Sequence, residues 1–352
     1  MNDSLKYRDS TISLSRVLGM TFIVLCHVIK YYSFVPGHDS LGMFFNCGVE
    51  LFLFISGYLY GQKIVSDFND WYFKRVIKIA LPSIIVSVVI IIASIIVGEH
   101  IPASTVIAYL FDVEGLLFLN QQFFSKFFFS IGSLGPLWFT TVIMLCYLLV
   151  PILQRISTCI HHFDRAIITT IFVGIIISII ISKYIVISYF VVFTIGYFTG
   201  KIKWLDEIDD RIMMIFTLLF LFTLAGRLIT HKFFDGTYYY EQFVLISQPI
   251  IGIWFVVVLS YLKKKKSLII EVLNKNKVIE VIDSYSFYVY LVHGIFCTGI
   301  FNVYEKINSV VGATFSFVIC TLLSSGLLKV CVDKIQKILI NNSILNLKKH
   351  AE

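Results

Sequence analysis

Apolar runs of roughly 18 to 22 residues recur along this chain from end to end, separated by short polar segments. That is the length of helix needed to cross a ~30 Å hydrocarbon core. Read by this pattern, ten spans emerge: 11–31, 41–61, 79–97, 135–153, 166–182, 185–200, 211–230, 243–261, 284–304 and 310–330. Spans five and six are separated by Lys183 and Tyr184 alone, so they are read either as two crossings or as one re-entrant pair. The pattern predicts an all-α, polytopic membrane helix bundle of about ten transmembrane helices. One integral-membrane domain over residues 1–340 is expected, followed by a cytoplasmic tail over 341–352.

The longest polar-interrupted segment runs from Gly98 to Ser133. It is apolar in patches but broken by Asp112, Glu114 and Lys126. This suits one or two amphipathic helices lying in the interface over the outer mouth of the bundle.

Charge fixes the orientation. With the N-terminus in the cytoplasm, 22 of the 29 Lys and Arg residues fall on inner segments, among them Lys6, Arg8, Lys74, Arg75, Lys78 and the run Lys263–Lys266. Six fall outside (Lys30, Lys126, Lys183, Arg227, Lys232 and Lys306), and Arg16 is in a span. The asymmetry places both termini inside. It explains the lysine run as a stop-transfer anchor and the net charge of +7 without a nucleic-acid partner.

Composition agrees: 58% of the 352 residues are hydrophobic and 14% charged, against about 25% charged in soluble domains. The seven cysteines form no C-x-x-C pair and read as small buried hydrophobes. The first apolar run carries Arg16 and no small-residue cleavage site, so it reads as a retained helix.

Within the spans, a few ionisable residues stand out. Arg16 and His27 are eleven positions apart in the first span, hence roughly 16 Å apart along a helix and on one face of it. Glu50 lies in "CGVELFLFISGYLYG", flanked by Gly48, Ser56 and Gly57, with His27 or Arg16 as its expected partner. His293 follows Tyr285, Tyr288 and Tyr290 in the ninth span. A single such residue is as readily structural as functional, and Arg16 alone is long enough to snorkel. Arg16, His27 and Glu50 in one hairpin instead mark a pathway or a reactive centre.

No G-x-S-x-G, H-E-x-x-H or P-loop motif is present, and no metal site is expected. "HHF" at 161–163 and "HKFFD" at 231–235 read as solvated loops.

The ordered motifs resemble the integral-membrane acyltransferase 3 family, whose bacterial members O-acylate cell-surface glycans. Arginine, ten residues, then histidine opens the first helix (Arg16, His27). "GVELFLFISGYLYG", "YFKRVIKIALP", "GPLWFTTVIMLCYLLVPIL" and "SYSFYVYLVHGIF" follow in the family's order. Here "SLSRVLG" replaces the usual Asp-Gly-Leu-Arg-Gly run, which leaves a carboxylate near Arg16 in doubt. The chain is expected to be the short form without an appended hydrolase-like domain.

The resemblance implies transfer of an acyl group, most often acetyl, from acetyl-CoA or another acyl-CoA to a glycan hydroxyl at the bacterial cytoplasmic membrane, with no permanently bound cofactor. It implies His27 as general base, or as carrier of a covalent acyl group, with Glu50 bracing it. Lys74, Arg75 and Lys78 would meet the CoA phosphates. Arg16 would bind pantetheine or phosphate, or hold the bundle together. His293 or a neighbouring tyrosine such as Tyr288 would face the oxyanion. Outer aromatics, Trp138 and Tyr238–Tyr240, would stack on sugar rings or anchor in the interface. The competing expectation is a proton-coupled exporter of a glycan or small anion, with His27 and Glu50 as relay; it lacks paired half-repeats with broken helices.

Overall fold

The computed structural model describes residues 10–349 except 36, 161, 182–185, 235 and 276. Lys6, Arg8, His161, Lys183, Tyr184 and Asp235, invoked above, lie outside the described residues. Among those described there is no strand.

The chain forms α1 (Ser10–Ile29), α2 (His38–Phe45), α3 (Gly48–Gly61), α4 (Phe68–Arg75), a π-helical turn at Val76–Ala80 and α5 (Leu81–Ile96). The short helices α6 (Ala103–Leu110), α7 (Leu116–Leu119) and α8 (Gln121–Phe124) precede a 3-10 segment at Gly132–Leu137. Then come α9 (Trp138–Leu148), α10 (Val150–Cys159), α11 (Phe163–Ile181), α12 (Val186–Lys201) and a 3-10 turn at Trp204–Asp206. The chain ends with α13 (Asp210–Phe234), α14 (Tyr238–Lys264), α15 (Leu268–Lys275), α16 (Lys277–Cys297), α17 (Val303–Lys306) and α18 (Val310–Lys349).

Among the described residues seven helical stretches are long and apolar enough to cross a membrane. The expected spans at 166–182, 185–200 and 284–304 fall on α11, α12 and α16. The tenth expected span is the start of a 40-residue helix. At 1.5 Å per residue this helix is about twice the hydrocarbon thickness. An ion pair between Lys329 and Asp333, 2.9 Å, marks where it turns polar.

The chain divides into two compact units. One comprises residues up to Val65 together with Leu149–Ser286; the other comprises Ser66–Leu148 and the chain from Phe287 on.

In the first unit, α3 and α12 pack through two reciprocal small-residue pairs. A Cβ on Gly57 or Gly61 would stand 2.0 Å from the carbonyl oxygen of Phe193 or Tyr197, and one on Gly196 or Gly200 would stand 2.2 Å from that of Phe54 or Tyr58. Each helix lays its glycines against the other's carbonyls, the close approach that membrane helices use in place of a hydrophobic driving force. Gly48 against Gly19 does the same between α3 and α1: its Cβ would lie 2.4 Å from the Gly19 carbonyl oxygen. Above these seams an aromatic cluster of Phe22, Phe44, Phe45, Phe220, Trp254 and Phe255 closes the core. Its Phe220 and Trp254 rings stack at 3.9 Å. The opposite face of α13 leaves Leu218, Leu221, Phe222 and Leu228 exposed, as a lipid-facing surface must be.

The second span is not one helix. It breaks at Asn46–Cys47, between α2 and α3, and so puts Glu50 in the first turn of α3 rather than mid-helix.

In the second unit, Pro82 lacks an N–H, and its ring would strike the carbonyl of Lys78. The π-turn just before it widens the helix and relieves the clash.

The segment after α5 departs from the sequence expectation of interfacial helices over an outer mouth. Asp112 accepts a hydrogen bond from Thr140 Oγ1 (2.6 Å), and Thr140 is 3.2 Å from Ser83 Oγ in the first turn of α5. Ser83 lies thirteen residues from the Ile96 end of α5, or roughly 20 Å down the helix axis. The segment therefore runs back alongside α5 as a re-entrant hairpin. Its tip, Asp112–Gly115, is pinned by Thr141, whose hydroxyl donates to the Asp112 carbonyl (2.7 Å) and accepts from the Gly115 N–H (3.1 Å). The buried Asp112 carboxylate, read from the sequence as an interfacial break, is the reason: its partner is a hydroxyl deep in the unit.

Gly57→Ala is expected to cost about 1–3 kcal/mol through overpacking, read as a lower melting temperature in detergent. Gly326→Ala, where an added Cβ meets nothing within 4 Å, should be neutral or slightly stabilising. Equal effects would refute the packing described.

Candidate functional site

Arg16 and His27 both lie in the unbroken α1, so their one-face, roughly 16 Å relation holds. Arg16 is committed to a carboxylate that the sequence reading left in doubt. Its Nε donates to Asp283 Oδ1 (2.8 Å) and its Nη2 to Asp283 Oδ2, a bidentate pair between residues 267 apart. The Asp283 side chain is 1% exposed and the Arg16 side chain 23%. Planar guanidinium and carboxylate match in this geometry, and Lys could not reproduce it.

His27 is half-buried near the other end of α1, and its ring donates a hydrogen bond to the Ile23 carbonyl one turn back. Its neighbour Cys26 lies within electrostatic reach of Glu50, which sets the last turns of α1 at the level of the first turn of α3. Glu50 is 4% exposed. Its carboxylate accepts from its own backbone N–H, and Oε2 is a buried acceptor with no hydrogen-bond partner. Position in the first turn of α3 gives it the positive end of the helix dipole.

The cation acting on Glu50 is Arg227, a residue the sequence reading placed on the outer side. Arg227 is buried in α13 and donates to Ser247 Oγ (2.6 Å) and to the carbonyls of Met43 (3.2 Å) and Val244 (3.2 Å). Gln248 also donates to the Met43 carbonyl (2.8 Å) and leaves its own Oε1 buried without a partner. Gly252, one turn further along α14, lets that helix close on Cys47–Leu51. Glu50, Arg227 and Gln248 thus form one buried polar cluster inside the first unit, and His27 lies on the neighbouring α1.

The other expected site residues belong to the second unit. Lys74 is exposed and paired with Asp70 (2.5 Å), Arg75 lies over the Trp71 ring (5.8 Å), and Lys78 is exposed in the π-turn. His293 is fully buried, with Nδ1 hydrogen-bonded to the Tyr290 carbonyl of its own helix, and the Tyr290 hydroxyl donates to the Pro136 carbonyl. Tyr288 is buried beneath Lys329 (5.4 Å), and Trp138 stacks on Phe118 of the re-entrant segment (4.8 Å).

A buried acid–guanidinium cluster beside a histidine, within a bundle of membrane-length helices, carries the order of motifs noted in the sequence. The acyltransferase 3 family model, described as an acyltransferase domain, matches residues 9–329. The chain belongs to the acyltransferase 3 family. No curated protein and no solved structure matches it. It is a multi-pass membrane acyltransferase.

Besides Arg227 and Asp283, sequence reasoning missed the pair in this acyltransferase's re-entrant hairpin. Asp112 and Glu114 are 6% and 4% exposed; Asp112 Oδ2 and both Glu114 oxygens have no hydrogen-bond partner. Among the described residues no basic side chain pairs with either carboxylate. Asp112 has φ 53°, in the left-handed region that residues other than Gly enter sparingly. The signal was available: two acids, one residue apart, inside an otherwise apolar "YLFDVEGLLFL".

Two outcomes follow for stability. Asp283→Ala leaves Arg16 without its counter-charge and is expected to cost about 3 kcal/mol, whereas Arg16→Met with Asp283→Leu together recovers most of it; detergent melts of both variants check this. Glu114→Gln removes an uncompensated buried acid and should raise stability by about 1–3 kcal/mol; a lower melting temperature would show that a partner holds that carboxylate.

Proposed function

We propose that this acyltransferase moves an acyl group, acetyl in the first instance, from acyl-CoA to a hydroxyl of a cell-surface or lipid-linked glycan at the bacterial cytoplasmic membrane. What supports the reading is the polar cluster at the His27 level: an imidazole, an acid with an open buried oxygen, and a guanidinium on three separate helices. His27 brings a ring nitrogen, the group a general base needs.

That nitrogen takes the proton of the acceptor hydroxyl as its oxygen bonds to the thioester carbonyl carbon. The tetrahedral intermediate collapses by breaking the C–S bond, and the imidazolium returns the proton to the departing thiolate, giving ester and free CoA. Glu50 supplies the negative charge that stabilises the imidazolium, as the acid of a hydrolase triad does. Arg227 holds Glu50 in place. Lys74, Arg75 and Lys78 are the cations for the CoA phosphates. Arg16, occupied by Asp283, holds the bundle together.

His27→Ala and Glu50→Gln are expected to lower transfer by at least about a hundredfold while leaving the protein abundant and membrane-inserted. Radiolabelled acetyl-CoA and mass analysis of surface glycan measure this. Glycan acylation by the His27→Ala protein at a wild-type level would end the mechanism. Thermal stabilisation of the purified wild type by acetyl-CoA separates an acyltransferase from a proton-coupled exporter.

A further inference from the structure

One cavity of the second unit is lined by none of the residues assigned to acyl transfer. It measures about 220 Å³ and is formed by residues 99–101, 129–133 and 299–300. Glu99 follows directly on the end of α5, whose 16 residues put it about 24 Å from the π-turn that carries Lys78. The cavity and the cations for CoA therefore sit at opposite ends of that helix.

The 129–133 segment is held in place by other parts of the unit. The Phe129 N–H donates to Thr105 Oγ1 (3.3 Å), and the Ile131 N–H donates to the hydroxyl of the buried Tyr109 (2.9 Å). Ser133 Oγ donates to the Thr298 carbonyl (3.0 Å), and Thr298 Oγ1 donates back to the Gly132 carbonyl (2.7 Å). Gly299 closes this contact: its φ is 72°, and a Cβ there would stand 2.0 Å from Ser133 Oγ. Walls fixed in this way lose little freedom when something enters.

The walls present two kinds of surface. Phe129 is 43% exposed, and with Ile101 and Ile300 it makes an apolar side. Glu99 and His100, both exposed, make a polar side. No lysine or arginine lines the cavity. Lys306, close by, is occupied with the Ile300 carbonyl and the Phe301 ring (5.8 Å).

A matching molecule carries an apolar face for the phenyl ring and hydroxyls along its edge for the carboxylate to accept from. A pyranose has both, with C–H groups on its faces and hydroxyls around its rim. The volume is below the roughly 300–1,000 Å³ of sites for drug-sized molecules, and suits one ring of a longer chain. Charge narrows the class further. A sugar bearing its own carboxylate would meet Glu99 with no lysine or arginine in the lining to offset it.

We propose that this cavity holds one uncharged pyranose ring of the acceptor glycan, stacked on Phe129 with its hydroxyls donating to Glu99. Its role as an acceptor subsite rests on the transfer reading above; its affinity for the sugar does not.

The test titrates the full-length purified protein, by saturation-transfer NMR, with the methyl glycosides of glucose, galactose and N-acetylglucosamine. Methyl glucuronide serves as the anionic counterpart. The wild type binds at least one neutral glycoside and not the glucuronide. Phe129→Ala weakens the neutral ligand about tenfold, and Phe129→Trp keeps it. Glu99→Gln weakens it about threefold and admits the glucuronide. Both positions are exposed, so melting temperatures stay near that of the wild type. Glycan acylation from labelled acetyl-CoA is measured alongside and falls with the loss of sugar binding.

Neutral glycosides that bind wild type and variants alike, or do not bind at all, while the wild type still acylates glycan, overturn the sugar site and leave the transfer reading standing. Variant-sensitive sugar binding by a wild type that transfers nothing from acetyl-CoA keeps the site and removes the transfer reading. Glucuronide bound by the wild type as tightly as the glucoside overturns the proposal.

Discussion

A charge carried into a low-dielectric interior must arrive with its counter-charge, and the first unit is arranged around meeting that demand. Arg16 on α1 is paired with Asp283 on α16, and Glu50 on α3 has the Arg227 guanidinium of α13 within electrostatic reach. The net gain from such pairs is small, because desolvation consumes much of the attraction. Their effect is on specificity: any other helix arrangement strands an unpaired charge. The glycine seams between α1 and α3 and between α3 and α12 serve the same end, by letting backbones approach until short side chains can reach.

The second unit treats charge differently. Its re-entrant hairpin buries Asp112 against a hydroxyl and Glu114 without one, and among the described residues no cation pairs with either. The hydroxyls of Thr140 and Thr141 secure the tip of the hairpin but leave three carboxylate oxygens open. A left-handed residue at its tip and a π-turn ending three residues before Ser83 add local backbone irregularity where neighbouring helices are regular. Irregular backbone at this depth is tolerated only where protein covers it, and the surrounding α5 and α9 provide that cover.

The all-helical, membrane-length character of the chain was legible because hydrophobic length is a one-dimensional property, read from runs near 20 residues. Pairing is three-dimensional and was not legible. Asp283 sits immediately before a motif noticed for its tyrosines and histidine, and nothing local says that its partner is 267 residues away. Arg227 was counted with the outer charges because it lies three residues inside a span edge, a margin no larger than the uncertainty of such edges. The hairpin was misread because an apolar segment broken by two acids has the same composition whether it floats at the interface or folds inward. Only the hydroxyls of Thr140 and Ser83 distinguish the cases, and they come from other helices.

The break between α2 and α3 links the architecture to the chemistry. A continuous second helix would have placed Glu50 mid-helix, with its backbone N–H committed to the turn before. Starting α3 at Gly48 frees that N–H for the Glu50 carboxylate and aims a helix N-terminus at it. One oxygen is then satisfied locally, Arg227 supplies the opposing charge, and Oε2 is left over, buried and facing no donor. An open acceptor of this kind is costly at rest. Under the proposed reaction that cost is recovered when positive charge develops on the His27 imidazole, so the acid binds the charged intermediate better than the resting site. That difference between states, rather than tight binding in either, is what accelerates a reaction.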